Sequence, residues 1–504
     1  MTQVSPPTNE ITDREGLIEA LNKIAELEHQ FMCMYLYAAL SLKKGPDEFC
    51  DKAKFEAVRR WTSKIYMMAR QEMEHLSLVN SMLAAIGAPP YFSRENIPKI
   101  SQKLDTETEI PPIPKAVASA SPQVLANHNI VEYSEKSETP TTRYESATET
   151  PCEFPFIFEP FDLKSARRYA CMESPKLCHL LNLPKELQND VKKWCFNKCD
   201  DYSWPQGLDK ETFQEEAGAG TIEKLYKDLR EGFEEVAKND KSLFVSSTNQ
   251  HQVEVLSQYN VYIFPVTDLT SALNAIDLII KQGEGLINAP PDFNSHFQNF
   301  YDIAKEYEGL TDGDNNNKFA ILPVPSNPKQ ENIQNEFTKK IFDLFNYSYV
   351  TLLYVLTGLY GWYTPASKET NYPHLSAALR NIAFAPTMTM LVRTLGEVLV
   401  QLPLDKDASK VAAPNFHIPS DDDEKLQICY QNDWQSEEKY SCYTDIGFYL
   451  KRFEKIEEDL KNLKDQESLV KEQLKYIHEN IYRLTGNLRK VYQTGVYSNF
   501  RSFS

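Results

Sequence analysis

Three glutamates and a histidine stand where amphipathic helices ordinarily place apolar residues. Leu17, Leu21, Ile24, Glu28, Phe31, Tyr35, Ala38 and Leu42 recur at steps of four and three, the spacing of one helix face, and Glu28 is the acidic exception. A second stripe runs Val58, Trp61, Ile65, Met68, Glu72, His75, Val79, Met82 and Ile86. Its two ionisable members are three residues apart and share one face. A third, Leu273, Ile276, Ile280, Glu284 and Ile287, again carries one glutamate. Burying a carboxylate without a partner costs several kcal/mol, so such seams need compensation. A shared metal ion supplies it: in ferritin-like bundles two helices give a Glu each and two give Glu-x-x-His, all pointing inward.

Taken singly, each feature has a plainer reading. A Glu-x-x-His pair is common by chance, and one glutamate on a heptad seam serves as a register device or ion-pair partner. Their coincidence on three seams favours metal. His296, which opens the stripe Phe300, Ile303 and Tyr307, joins the set if a turn at Pro290-Pro291 folds it back toward Glu284. Glu223, just off the stripe Ile222, Tyr226, Leu229 and Phe233, is the carboxylate offered by the third long helix. The expected ligands are therefore Glu28, Glu72, His75, Glu223, Glu284 and His296. Carboxylate and imidazole donors suit iron or manganese, with zinc as a further candidate. Tyr35, one heptad after Glu28, is placed to donate a hydrogen bond to the centre, with a plain core tyrosine as the alternative.

The stripes must sit on long helices, predicted over 13–43, 55–87, 220–238 and 267–287. Short helices follow the same logic over 163–199, and VYIFPV at 261–266 reads as extended. A further helix starts near Ser295. Beyond the polar tract 309–319 come helices near 333–363 and 374–402, then a final long helix over 446–492. Its seam, Phe453 through Val491, docks on the protein body or pairs two copies into a homodimer. The fold class is all-α: a ferritin-like four-helix bundle with a helical C-terminal region. The expected organisation is a tail at 1–12, a metal-binding domain at 13–310 and a helical region at 320–504. Residues 100–152, rich in Ser, Thr, Pro and Glu, form an insertion or long loop.

Several residue groups also resemble a known family. Leu27-Glu28-His29-Gln30 leads into Tyr35-Leu36-Tyr37-Ala38-Ala39, and Arg70-Gln71-Glu72-Met73-Glu74-His75-Leu76 follows. Later come Arg94-Glu95-Asn96-Ile97-Pro98, Gln282-Gly283-Glu284-Gly285 and Ser295-His296-Phe297. Over roughly residues 14–310 the chain resembles the ferritin-like domain of the iminophenyl-pyruvate dimer synthases, which include the dimerising enzymes of the violacein and rebeccamycin pathways. The resemblance implies oxidative coupling of two imines of aromatic 2-oxo acids in an iron- or haem-dependent setting. One tract departs: the family's Thr-Ile-Gly-Glu-Leu-Tyr is here Thr221 to Tyr226, with the glutamate one position earlier at Glu223.

Composition narrows the function classes. Glycine is scarce at 17 of 504 residues, which argues against glycine-lined phosphate loops and for helices. A net charge of −18 disfavours nucleic acid or an anionic membrane as partner, because like charges repel. The uncharged stretch Leu344 to Ser367 carries Asn346, Ser348 and five tyrosines and reads as a buried helix. Without a signal-peptide pattern at the N-terminus, nine cysteines read as reduced thiols in a cytoplasmic protein. Cys171, Cys178, Cys195 and Cys199 lack the paired knuckles of a zinc site. No nucleophile elbow, P-loop or dinucleotide fingerprint occurs. The function these residues point to is an iron-dependent oxidoreductase, di-iron and non-haem, with dioxygen or peroxide and a small organic substrate as partners. The alternative is a non-catalytic metal-binding or purely structural helical protein.

Overall fold

Helix α1 (Arg14–Leu40) starts where the Asp13 carboxylate accepts the Gly16 amide hydrogen at 2.9 Å, and α2 (Lys52–Ala85) where Asp51 does the same for Ala53 at 2.8 Å. Such caps satisfy amides that have no partner inside the helix. Helix α2 ends at Gly87, whose φ of 78° is easy only for glycine; its amide and that of Ala88 bond back to Ala84 and Leu83. The structure, a computed structural model, describes residues 11–49, 51–97, 156–174, 184–191, 194, 222–245, 256–258, 261–283, 295–311, 318–361, 378–406, 408–422, 426 and 446–495. The insertion at 100–152 lies outside them.

After α3 (Leu163–Met172) and α4 (Lys185–Val191) come α5 (Ile222–Asn239), a small antiparallel hairpin of β1 (Leu256–Gln258) and β2 (Val261–Ile263), α6 (Leu269–Gly283) and α7 (His296–Leu310). Helices α1, α2, α6 and α5 close a ring, each packing on the next, with α5 returning to α1. This is the expected four-helix core. Helix α7 packs across α3 and leans on α2, so both approach the core from outside the ring. Trp61 of α2 marks that junction: its ring stacks on Tyr307 at 4.8 Å and its N–H donates to Glu306 at 2.8 Å.

The C-terminal region adds α8 (Glu336–Tyr360), α9 (Ala378–Leu399), α10 (Ile446–Leu463) and α11 (Lys471–Thr494). Helix α9 contains a wide π-helical stretch, Ala383–Arg393, around Pro386. Among the described residues it is the helix long and apolar enough to cross a membrane, with mean hydropathy 1.2; it packs on α8. The described part of the Leu344–Ser367 stretch is mostly buried in α8, as its composition implies. One expectation is corrected: the final helix is two. The polar run Asp465-Gln466-Glu467-Ser468 turns the chain, so the two halves of the heptad seam bury against each other within one molecule.

A buried polar cluster joins the C-terminal region to the bundle. The Tyr349 hydroxyl of α8 lies 2.5 Å from His29 Nε2 and 3.4 Å from Cys33 Sγ, both on α1. Arg94 Nη2 donates to the same oxygen at 3.4 Å and to the Phe416 carbonyl. Cys33 is a free thiol, whereas Cys171 is disulfide-bonded, against the expectation that every thiol is reduced.

Helix α10 approaches α8 so closely that a Cβ on Gly358 would collide with the Tyr449 hydroxyl and sit 3.1 Å from a Leu379 methyl. Alanine is the better helix former by about 1 kcal/mol, but overpacking costs about 1–3 kcal/mol. Gly358→Ala is therefore expected to lower the thermal midpoint; an increase would show that Tyr449 swings away freely.

Candidate metal centre

The centre is built around Glu72. On α2, Glu72 and His75 project together, and Glu28 of α1 faces them. His75 Nδ1 lies 3.1 Å from Glu72 Oε2 and 3.3 Å from Glu28 Oε2. The other Glu72 oxygen, Oε1, lies 2.9 Å from His296 Nδ1, and Glu173 Oε1 is 3.5 Å from that nitrogen. Two groups thus share Glu72: Glu28–Glu72–His75 and Glu72–Glu173–His296, the ligand atoms of each within 4.8 Å of one another. All five side chains are buried, and the two imidazoles stack with centroids 5.6 Å apart.

Local structure explains how His296 and Glu173 arrive. Ser295 caps α7, accepting the Gln298 amide hydrogen at 3.2 Å, and this sets His296 in the first turn. Glu173 is the C-terminal cap residue of α3, and α3 packs on α7. Among the described residues the second ligand pair therefore comes from α3 and α7, which adds Glu173 to the expected ligands. Glu284 and the side chain of Glu223 lie outside the described residues. Glu173 belongs to no heptad seam, so periodicity passed over it. A signal was available: an anion at a helix C-terminus opposes the macrodipole and needs a reason to be there.

The surroundings repeat the same logic in each half. The Tyr226 hydroxyl of α5 donates to Glu28 Oε1 at 2.5 Å, and the Tyr35 hydroxyl donates to Glu173 Oε1. His75 Nε2 meets Gln282 Oε1 at 2.9 Å, and His296 Nε2 meets Gln71 Oε1 at 3.2 Å. Each terminal carboxylate has a phenol, and each imidazole has an amide behind it. Such outer partners orient ligands and strengthen their donation. Tyr35 thus touches the centre through Glu173, one heptad after Glu28.

Electrostatics mark the site as a place for cations. Burial, and then the neighbouring Glu72, push Glu28 up to about 8. Burial also works against ionising Glu72, yet His296 and His75 hold it below the ordinary carboxylate range. Burial disfavours imidazolium, but the carboxylates outweigh it, raising His75 well above its ordinary value and His296 to about 9. Burial, followed by Glu173 and Glu28 respectively, keeps Tyr35 and Tyr226 protonated well above the usual phenol range. They remain donors.

Two observations show that a metal fits. His296 Nδ1 is buried and has no hydrogen-bond partner, although Glu72 is at ion-pair distance. With Nε2–H turned to a glutamine oxygen, each Nδ1 presents its lone pair to carboxylate oxygens, and only a cation or a proton between them removes that repulsion. A cavity of about 20 Å³ opens among Glu28, Glu72, His75, Glu173 and His296, walled by Phe31, Ile222, Ile279 and Ile280. That is room for a water-sized occupant.

The four-helix ring and this carboxylate–histidine centre define a ferritin-like protein. The chain belongs to the ferritin-like family, whose profile matches residues 21–305. The chain is also similar to dichlorochromopyrrolate synthase of Lentzea aerocolonigenes, 24% identical over 455 residues that cover 81% of this chain and 36% of that protein. It spans about a third of the length of this curated relative. No solved structure matches the chain. The resemblance read from the helix motifs therefore holds for the ferritin-like domain.

Tyr226→Phe removes one donor from Glu28 and nothing else from the cavity wall. Loss of an outer partner typically costs about 10–100-fold in metal affinity. The variant is expected to weaken one of two metal-binding steps by about tenfold, read by titration with Co(II); unaltered binding would make Tyr226 a packing residue only.

Proposed function

We propose that this protein is an iron-dependent oxidoreductase of specialised metabolism, non-haem and di-iron, acting on a small amino-acid-derived molecule with dioxygen or peroxide as oxidant. The observation that carries the reading is the shared Glu72, with one oxygen turned to each half of the centre. Glu28 and His75 would complete one metal position and Glu173 and His296 the other. Bound iron would supply one-electron redox chemistry and activation of the oxidant.

The protein's own groups perform the remaining tasks. Glu72 holds the two halves in register. Tyr35 and Tyr226 keep a proton on each phenol and steer Glu173 and Glu28. Phe31, Ile279 and Ile280 line the cavity with apolar surface and limit water. The small cavity among these carboxylates and imidazoles suits a non-haem metal better than haem, with manganese as the chemical alternative to iron. Similarity to dichlorochromopyrrolate synthase, together with the resemblance to the imine-coupling enzymes, supports oxidative coupling or oxygenation of an amino-acid-derived imine as the reaction type.

Iron stoichiometry by elemental analysis, with dioxygen uptake by Fe(II)-loaded protein, tests the proposal. Two irons per chain and rapid uptake are expected; a fully folded protein that binds no iron would refute it. A second reading rests on the ion pairs themselves: the histidines compensate the carboxylates without metal, as a structural network. It requires that chelators leave the melting temperature unchanged.

A further inference from the structure

Both imidazoles are backed by a glutamine amide, but in only one case does a described residue also fix which way the amide points. Gln282 Nε2 donates to Glu74 Oε1 at 3.1 Å. Glu74 is buried, and its Oε1 accepts this hydrogen bond. The NH₂ end of Gln282 is therefore committed to Glu74, and its Oε1 is left for His75 Nε2, 2.9 Å away. An amide oxygen accepts and cannot donate. In the neutral, metal-ligating form of His75 the hydrogen must then sit on Nε2 and the lone pair on Nδ1, the nitrogen that faces Glu28 and Glu72.

A neutral imidazole has two tautomers of similar energy in water, and the wrong one would present an N–H to the metal. Gln282, Glu74 and His75 are all buried, so solvent does not readily supply a replacement partner. We propose that Gln282, oriented by Glu74, is a positioning residue that selects the Nδ1-ligating tautomer of His75 and so sets the affinity of the Glu28–His75 metal position. The inference rests on the metal reading above and deepens it. His296 provides an internal comparison: Gln71 faces its Nε2 in the same way, but among the described residues no carboxylate accepts from Gln71. The relay thus belongs to one half of the centre.

Co(II) titration of the full chain, followed by its visible absorption, tests this. Gln282→Leu is expected to weaken one of two Co(II) equivalents by about 10–100-fold and leave the other unchanged. Glu74→Gln should weaken the same equivalent by a smaller factor, and should add nothing in the Gln282→Leu background, because Glu74 acts through the amide. Wild-type protein with two tight equivalents, beside Gln282→Leu protein that binds both equally well, would overturn the inference and leave the metal reading standing. So would additive losses in the double variant. Wild-type protein that takes up no Co(II) would sink the metal reading and the relay with it. A measurement that needs no variant is ¹⁵N NMR of Zn(II)-loaded wild-type protein labelled at histidine: His75 should carry hydrogen on Nε2 and metal on Nδ1, and the reverse assignment defeats the proposal.

Discussion

Glu72→Ala protein is expected to keep its helical content and lose metal at both positions together. No other side chain among the described residues belongs to both ligand groups. Removing Glu28 or Glu173 should abolish one equivalent and leave the second weakened; removing Glu72 deprives both of a carboxylate. The metal-free protein should suffer as well. Glu72 lies between two imidazoles whose protonated forms it stabilises, and breaking a buried ion pair by deleting one partner costs about 3–5 kcal/mol. Glu72→Gln separates the two effects, since it keeps the volume and some hydrogen bonding but not the charge. It should lose the metal with a smaller drop in melting temperature. Stoichiometry by elemental analysis decides the matter: a Glu72→Ala protein that still holds two equivalents, or cleanly one, would show that the halves do not share this residue.

Metal uptake should strengthen steeply with pH while the metal-free protein becomes less stable. A ligating imidazole must be neutral and a ligating carboxylate ionised, so binding releases protons. His296, raised to about 9, is mostly protonated at neutral pH. Displacing that proton at pH 7, two units below, costs on the order of a hundredfold in apparent affinity. Glu28, raised to about 8, adds to the dependence in the same direction.

The stability of the metal-free protein runs the other way. Both groups titrate higher in the folded chain than their reference values of 6.5 and 4.5, so the folded state binds more protons. Their contribution is fully present below those reference values and is lost as pH rises through about 8 and 9. Glu72, lowered on folding, has the opposite sign and loses its contribution only as the solution becomes acidic. The rise in melting temperature on adding metal should therefore grow between pH 6 and pH 9, as scanning calorimetry can show. A metal-induced rise that is constant over this range would mean that neither His296 nor Glu28 gives up a proton on binding.

Half of the centre was legible in the amino-acid order and half was not, for a reason that particular residues make clear. Glu28, Glu72 and His75 interrupt regular apolar stripes, and a helix converts spacing along the chain into position on a face. Their convergence follows once α1 and α2 pack side by side, as two helices joined by a short loop do. His296 was legible as a residue type on a stripe but not in its partner, because α7 comes to the site from outside the bundle. Glu173 was hidden. It terminates a short helix, where no period marks an inward direction, and the docking of α3 on α7 carries it to Glu72.

The same division holds elsewhere. The heptad seam of residues 453–491 specified a buried stripe, and only the turn at 465–468 decided that it closes on itself. Sequence alone determined that this chain is helical, ferritin-like and burdened with inward carboxylates, because local periodicity encodes which face of each helix is buried. Tertiary structure decided which carboxylates meet, which nitrogen of each histidine faces them and which amide stands behind. Those depend on contacts between residues far apart along the chain, such as the 208 positions separating Glu74 from Gln282, and no local pattern records them.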